Sequence, residues 1–217
     1  FQEIYQRGNK MALDTEEEQV EKIQKIWDTY KRSIIAAVVI FLGLYFAYNF
    51  YANQTIKNLE KASQLYQEIL VTKTTSVDII REKVILLKNT SSDTPYASRA
   101  AIYLSKLYSQ SNNNEAAIKE LIWAHSNATE ESIESLASYL LANLYLVSGK
   151  LDEALVAANK INSIGFQALA KDIIGDIYLE LGDEQEARKS FVESLSLNKG
   201  QGDIRKILQN KIDSIGK

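Results

Sequence analysis

With His125 as its one histidine and no cysteine, this 217-residue chain has few side chains from which to build a reactive centre. A histidine-based metal site or a Ser-His-Asp triad cannot be assembled around His125, which follows Trp123 and precedes a polar turn, where a partly exposed packing role fits it better. The absence of thiols removes disulfides, thiolate metal sites and cysteine nucleophiles, and fits either side of a membrane. The acid pairs Asp152/Glu153 and Asp183/Glu184 invite a general acid–base reading. Both fall at predicted helix starts, where carboxylates favour the helix dipole and cap open N–H groups. No phosphate-binding glycine loop occurs. The net charge of −3 and the scattered Lys and Arg leave no nucleic-acid footprint. The residue types thus predict no catalytic residue, no metal, no cofactor and no nucleic-acid partner. They leave binding as the chemistry, and the chain reads as a non-enzyme.

The elements that would carry a binding surface are helices. One proline, Pro95, and only nine glycines argue for continuous helices joined by short turns. From Ser33 to Ile56 no residue is formally charged, and Ile34 to Tyr48 is almost wholly apolar. A helix needs roughly 20 such residues to cross the hydrocarbon core of a bilayer. Trp27 and Tyr30 before the run, and Tyr48, Phe50 and Tyr51 at its end, are placed as interfacial aromatics. A buried core helix would rarely carry so long an uncharged run. A cleavable signal would need small residues where Phe50 and Tyr51 stand. The expected organisation is a tail over 1–32, a transmembrane helix over 33–52 and a helical domain over 53–217. Lys22, Lys25, Lys31 and Arg32 precede the span and only Lys57 and Lys61 follow it closely, which puts the N-terminus in the cytoplasm and the large domain outside. In a bacterium that domain would be periplasmic and the anchor would sit in the inner membrane.

In the tail, Phe1 to Lys10 show no apolar period and read as an upstream extension, with Met11 as a natural start. Thr15-x-x-Glu18 is a capping-box pattern ahead of Val20, Ile23, Ile26 and Tyr30, whose spacing predicts an amphipathic helix running into the span. Its apolar face is either a docking face for a cytoplasmic or membrane partner or a helix extension against the lipid surface.

After the span an internal period emerges. Ile174-Gly175-x-x-Tyr178 is followed by Gly182, Ala187 and Phe191, and Leu141-Ala142-x-x-Tyr145 by Gly149, Ala154 and Ala158, at a constant offset of 33 positions. A weaker copy runs Leu104-Ser105-x-x-Tyr108, Asn112, Ala117, Leu121. The pattern resembles the tetratricopeptide repeat (TPR), in which paired helices recur about every 34 residues. Small residues at Ala142 and Gly175 let the paired helices approach, and Gly149 and Gly182 supply left-handed backbone at the end of a first helix. Leu59–Leu70 and Val77–Leu87 are expected as further helices, followed by a polar turn over Asn89–Thr94. Ile204, Ile207, Leu208, Ile212 and Ile215 mark a capping helix. The expected fold is therefore all-α: one N-terminal transmembrane helix followed by a TPR-like helical-hairpin solenoid. The TPR resemblance implies a protein-binding groove lined by the first helices of the hairpins, which places Ile102, Lys106, Tyr139, Asn143, Leu146, Asp172, Asp176 and Leu179 on it.

The acidic tail with Glu17-Glu-Gln-Val-Glu21, the single span, the repeats and the closing Asn210-Lys211-Ile212 together resemble the YfgM-like ancillary subunits of the bacterial Sec translocon. That resemblance implies an inner-membrane adaptor whose partners are the Sec translocon channel, a membrane-anchored periplasmic chaperone of the peptidyl-prolyl isomerase type and the lipid bilayer. It would link secreted polypeptides to periplasmic chaperones. The alternative is a membrane-anchored scaffold or regulator of another envelope complex.

Overall fold

The computed structural model describes the backbone of residues 2–18, and residues 19–72, 77–198 and 202–216 in full. The described residues form nine α-helices and one 3₁₀ turn: α1 (Gln2–Val71), α2 (Val77–Ser91), α3 (Pro95–Gln110), α4 (Asn114–Ser126), α5 (Glu131–Val147), α6 (Leu151–Ala158), the 3₁₀ turn Ile164–Phe166, α7 (Gln167–Glu180), α8 (Glu184–Leu197) and α9 (Gly202–Ser214). The chain divides into two compact units, one ending at Lys57 and the other beginning at Asn58, so the boundary lies within α1.

In the first unit α1 corrects two expectations. Its backbone is helical from Gln2, so the capping-box pattern at Thr15 lies inside the helix and not at its start. The helix expected from Leu59 is not separate either. Between Leu44 and Val71 there is no glycine or proline to stop a helix, and α1 runs on to Val71. The apolar window of this helix has none of its residues buried, and Ile40, Phe41 and Phe46 all stand open. A core helix would cover such a run with other elements. It is long and apolar enough to cross a membrane, and hydrocarbon is the solvent that suits an uncovered band of this length. Polar side chains near its end turn back onto their own helix: the Asn49 amide donates to the Tyr45 carbonyl at 2.9 Å and the Thr55 hydroxyl to the Tyr51 carbonyl at 3.1 Å.

The second unit is a row of helical hairpins. The end of α1 packs with α2 through Ala62, Ile69, Ile80 and Val84, all buried, and Lys83 pairs with Glu68 at 3.0 Å. The hairpins α3/α4, α5/α6 and α7/α8 follow. Pro95 sits at the first turn of α3, where its missing N–H costs nothing, so the lone proline starts a helix and breaks none. The turn before it is shorter than expected, because α2 persists to Ser91.

The three repeat copies share one turn chemistry. Asn112, Gly149 and Gly182 all have positive φ, at 58°, 70° and 79°. Each is followed by a residue whose N–H returns to the repeat tyrosine: Asn113 to the Tyr108 carbonyl at 2.8 Å, Lys150 to Tyr145 at 2.9 Å and Asp183 to Tyr178 at 2.9 Å. These bonds satisfy carbonyls that a helix end leaves open. Asn113 and Asp183 then cap the next helix, accepting from the N–H groups of Ala116 and Glu186. Lys150 occupies the same place in the middle copy without a side-chain cap.

The packing positions agree with the register. Ala117, Ala154 and Ala187 are fully buried, as are Ala142 and Phe191, and Gly175 lies so close to α8 that a Cβ there would stand 2.5 Å from the Phe191 ring. Serines tie neighbouring elements where the backbone needs partners. Ser98 donates to the Asn127 carbonyl, and Ser135 accepts from the N–H groups of Asn162 and Ser163. Leu208 and Ile212 of α9 cover Ala187 and Phe191, which closes the row as a capping helix should.

Candidate protein-binding groove

A groove of about 780 Å³ opens in the second unit between α3 and α5, with the end of α1 at one side. Its apolar wall is one face of α5: Ile133, Leu136, Leu140, Leu144 and Val147. Their spacing of three and four places them in a single stripe, roughly 21 Å long at 1.5 Å rise per residue. The facing wall comes from α3, with Arg99, Ile102, Tyr103 and Lys106, and Tyr66 from the end of α1 stands beside it. Asn112, Asn114 and Asn143 add polar edges.

The helices that build this groove are held together by side-chain contacts. Tyr66 stacks at a tilt against Tyr96 with ring centroids 5.7 Å apart, and burial pushes its phenol above the ordinary range although the Arg99 charge pulls the other way. Arg99 itself is clamped by both oxygens of Glu130, at 2.7 and 3.0 Å, which ties α3 to the residue that precedes α5. Between α2 and α4, Lys88 pairs with Glu120 and lies over the Trp123 ring, 4.5 Å from its centroid.

Ile102, Lys106 and Asn143 of the eight expected groove residues are brought together here. Tyr139 and Leu146 lie on α5 but pack against the cluster around Ala142, Ala154 and Ile173. Both are half-buried there, and the groove residues Ile102, Leu140 and Leu144 pack against the same cluster. Asp172 and Asp176 are occupied by the chain itself: the Lys211 ammonium of α9 sits between them at 2.7 and 2.8 Å and also lies over the Phe191 ring. Burial raises the Asp176 carboxyl above the usual range, and Lys211 opposes this without cancelling it. Burial draws the Lys211 ammonium down, but its bonds to the two carboxylates outweigh that and hold it above its ordinary value. Leu179 remains exposed on α7. Tyr66, Tyr103, Leu136, Leu140 and Val147 were not anticipated. The signal was present, since 133, 136, 140, 144 and 147 form an apolar helical stripe, but it runs beside a second apolar stripe that packs inward.

The histidine and the acids at the helix starts all have structural roles among the described residues. His125 receives or donates one hydrogen bond with the Ser138 hydroxyl at 2.9 Å, a link between α4 and α5. Asp183 spends its carboxylate on the cap of α8, and Asp152 and Glu153 stand in the first turn of α6. What the arrangement offers is an apolar trough with a basic edge, on a right-sized scale for the side chains of a polypeptide.

Stacked helical hairpins with a small-residue seam, a left-handed turn residue and a capping helix define a TPR-like repeat protein, here following a helix of membrane-spanning length. The profile of the tetratricopeptide repeat-like domain family matches residues 24–217, and the chain belongs to that family. A solved structure of nearly identical TPR-like repeats from Podosopora anserina shares the fold with a TM-score of 0.53 at 15% identity, over 73% of this chain and 83% of that one. Among curated relatives, the ancillary SecYEG translocon subunit of Aggregatibacter actinomycetemcomitans is 26% identical over 186 residues, 85% of this chain and 91% of that protein. The subunit of the same name from Neisseria gonorrhoeae is 24% identical over 208 residues, 94% of this chain and all of that protein. That from Haemophilus influenzae is 24% identical over 185 residues, 85% of this chain and 91% of that protein. The chain is thus similar to the YfgM-like ancillary subunits over most of its length.

Proposed function

We propose that this chain is a non-catalytic, membrane-anchored adaptor of the Sec translocon, which holds translocating polypeptides or their chaperones in the groove between α3 and α5. The observation that carries the reading is the open apolar trough on a repeat unit whose chain also bears a membrane-length helix. The relatives named as ancillary SecYEG translocon subunits supply the partner. The excess of Lys22, Lys25, Lys31 and Arg32 before the span favours a cytoplasmic N-terminus and a periplasmic repeat unit in a bacterial inner membrane. Labour then divides between the units. The span meets the membrane channel within the bilayer, and the groove meets a membrane-anchored periplasmic chaperone of the peptidyl-prolyl isomerase type.

Photo-crosslinking in intact cells tests this. A crosslinker at Val39, in the exposed apolar run, is expected to capture translocon subunits, and one at Val147, at the groove, periplasmic chaperones or secreted chains. Capture of cytoplasmic proteins at Val147 would overturn the orientation. A stable complex without Sec subunits at Val39 would replace the adaptor with a scaffold of another envelope assembly.

A further inference from the structure

We propose that α1 pairs with α1 of a second copy of this chain, parallel and in register, through the stripe that Val20, Ile23, Trp27, Tyr30 and Ile34 form as the helix enters the span. The inference rests on α1 being the membrane anchor of the proposed function and adds what covers its face outside the bilayer. Spacings of three, four, three and four put these five side chains on one face of the helix, and all stand open. Inside the span nearly every residue is apolar and such a spacing selects nothing. Over 20–32 it does select. At about 100° per residue, Glu21, Lys22, Lys25, Asp28 and Arg32 all lie roughly 120° or more round the helix from the centre of the stripe. Of the charged residues in this segment Lys31 alone flanks the stripe, and its ammonium bonds the Asp28 carboxylate of its own helix at 2.8 Å.

Lipid does not cover the whole stripe. At 1.5 Å per residue, Ile23 and Val20 stand about 15 and 20 Å along the helix from Ser33, where the uncharged run begins, whereas the interfacial layer on one side of a bilayer is only about 5–8 Å deep. Nor can the segment fold back onto the surface, since α1 is helical throughout and has no glycine or proline between Gln19 and Gly43. Another helix alongside is the cover that remains, and a second copy meets its requirements. Every copy inserts in the same direction and the span fixes its depth, so two copies meet parallel, with Val20 beside Val20 and Ile23 beside Ile23. Self-pairing brings the two edges of the stripe together, where like charges would repel. Those edges carry Gln24, Ile26 and a Lys31 already answered by Asp28, so the pairing meets no such repulsion. Complementary charge along the edges is what selects a different partner, and none is offered. Val39 lies on the opposite face of α1, so the pairing leaves free the side on which the channel is expected.

The chain has no cysteine, so a single introduced thiol reports its own neighbour. Full-length chains carrying Val20→Cys, Ile23→Cys or Lys25→Cys are mildly oxidised in isolated native membranes. The first two are expected to give a disulfide-linked dimer of the chain. Lys25→Cys, on the far face, is expected to give at least about fivefold less, because a disulfide needs Cα atoms within roughly 7 Å. Equal dimer from Lys25→Cys would reduce the bridges to collision and overturn the pairing, as would no dimer at either position 20 or 23. A bridge from Ile23→Cys to a different protein, without dimer, would give the stripe to that protein. Energy transfer between donor- and acceptor-labelled full chains in lipid vesicles supplies the second measurement. Ile23→Ser, which takes two apolar side chains out of each pair, is expected to weaken self-association by about tenfold or more, and Lys25→Ser to leave it unchanged. Self-association indifferent to Ile23→Ser would overturn the stripe as its basis. Capture of Sec subunits from Val39 reads the adaptor independently of all these results, so the pairing and the adaptor fail separately.

Discussion

Replacing Gly175 with alanine sets two opposing effects against each other inside one helix. An alanine in a helix interior is favoured over glycine by about 0.5–1 kcal/mol, because glycine loses more backbone freedom on folding. Against that stands the Phe191 ring, three of whose atoms would lie 2.5, 2.6 and 2.8 Å from the new Cβ. The ring edge is rigid and Phe191 is fully buried beneath α9, so the clash must be relieved by moving α7 against α8. Overpacking of this kind costs about 1–3 kcal/mol. The clash should win, with a net loss of about 1–2 kcal/mol and a fall in Tm of roughly 2–8 °C for a unit of this size. The measurement is thermal unfolding of the excised unit 58–217, followed by circular dichroism. The same substitution in a Phe191→Leu background is the decisive comparison. With the ring gone, the helix-propensity gain is no longer opposed and Gly175→Ala should become neutral or stabilising, giving a coupling of at least about 1 kcal/mol. If Gly175→Ala stabilises the unit with Phe191 present, or if the two changes add independently, the close approach of α7 and α8 is not what this position enforces.

Gly182→Ala tests the backbone alone, since φ is +79° and nothing lies within 4 Å of a Cβ at that position. It should cost about 1–2 kcal/mol, whereas Gly165→Ala, equally unobstructed and without a positive φ, should cost little; equal effects at the two sites would refute the left-handed turn. Lys211 should show its role through pH. Its folded-state pKa is raised by Asp172 and Asp176, so its stabilising contribution is full below the ordinary ammonium value of 10.5 and is lost as pH rises through the higher folded value. Urea midpoints of wild type and Lys211→Ala should therefore converge under strongly alkaline conditions; a gap that widens there would exclude the pairing as its source.

The local chemistry of this protein was legible because each device depends on neighbours in the chain. The apolar run at Ile34–Tyr48 needs no partner to be recognised, as its length and lack of charge are the whole requirement for crossing hydrocarbon. The repeat was readable for a similar reason. Gly149 and Gly182 answer a backbone demand, and Ala154, Ala187 and Gly175 a demand for close helix approach, and both recur at one spacing. The helix start at Thr15 was misjudged because a capping box stops nothing: it stabilises an end where one exists, and α1 has no breaker there.

The groove was legible only in part. Periodicity places a residue on a helix face, but α5 carries two apolar faces about one position apart. Which of them meets α6 and α7, and which stays open, is decided by the partners' packing. Tyr139 and Leu146 pack against the cluster around Ala142 without lining the groove, Leu140 packs there and lines the groove as well, and Val147 lines it and stands open. Asp172 and Asp176 show the same limit more sharply. Their spacing marks a polar patch on α7, and nothing local reveals that Lys211, 35 residues beyond Asp176, returns to fill it. Composition and period therefore determined the anchor, the hairpins and their turns, because those follow from interactions within a few residues or with solvent. The tertiary fold alone decided which polar and apolar side chains remain free to bind, because that is settled by which distant elements cover them.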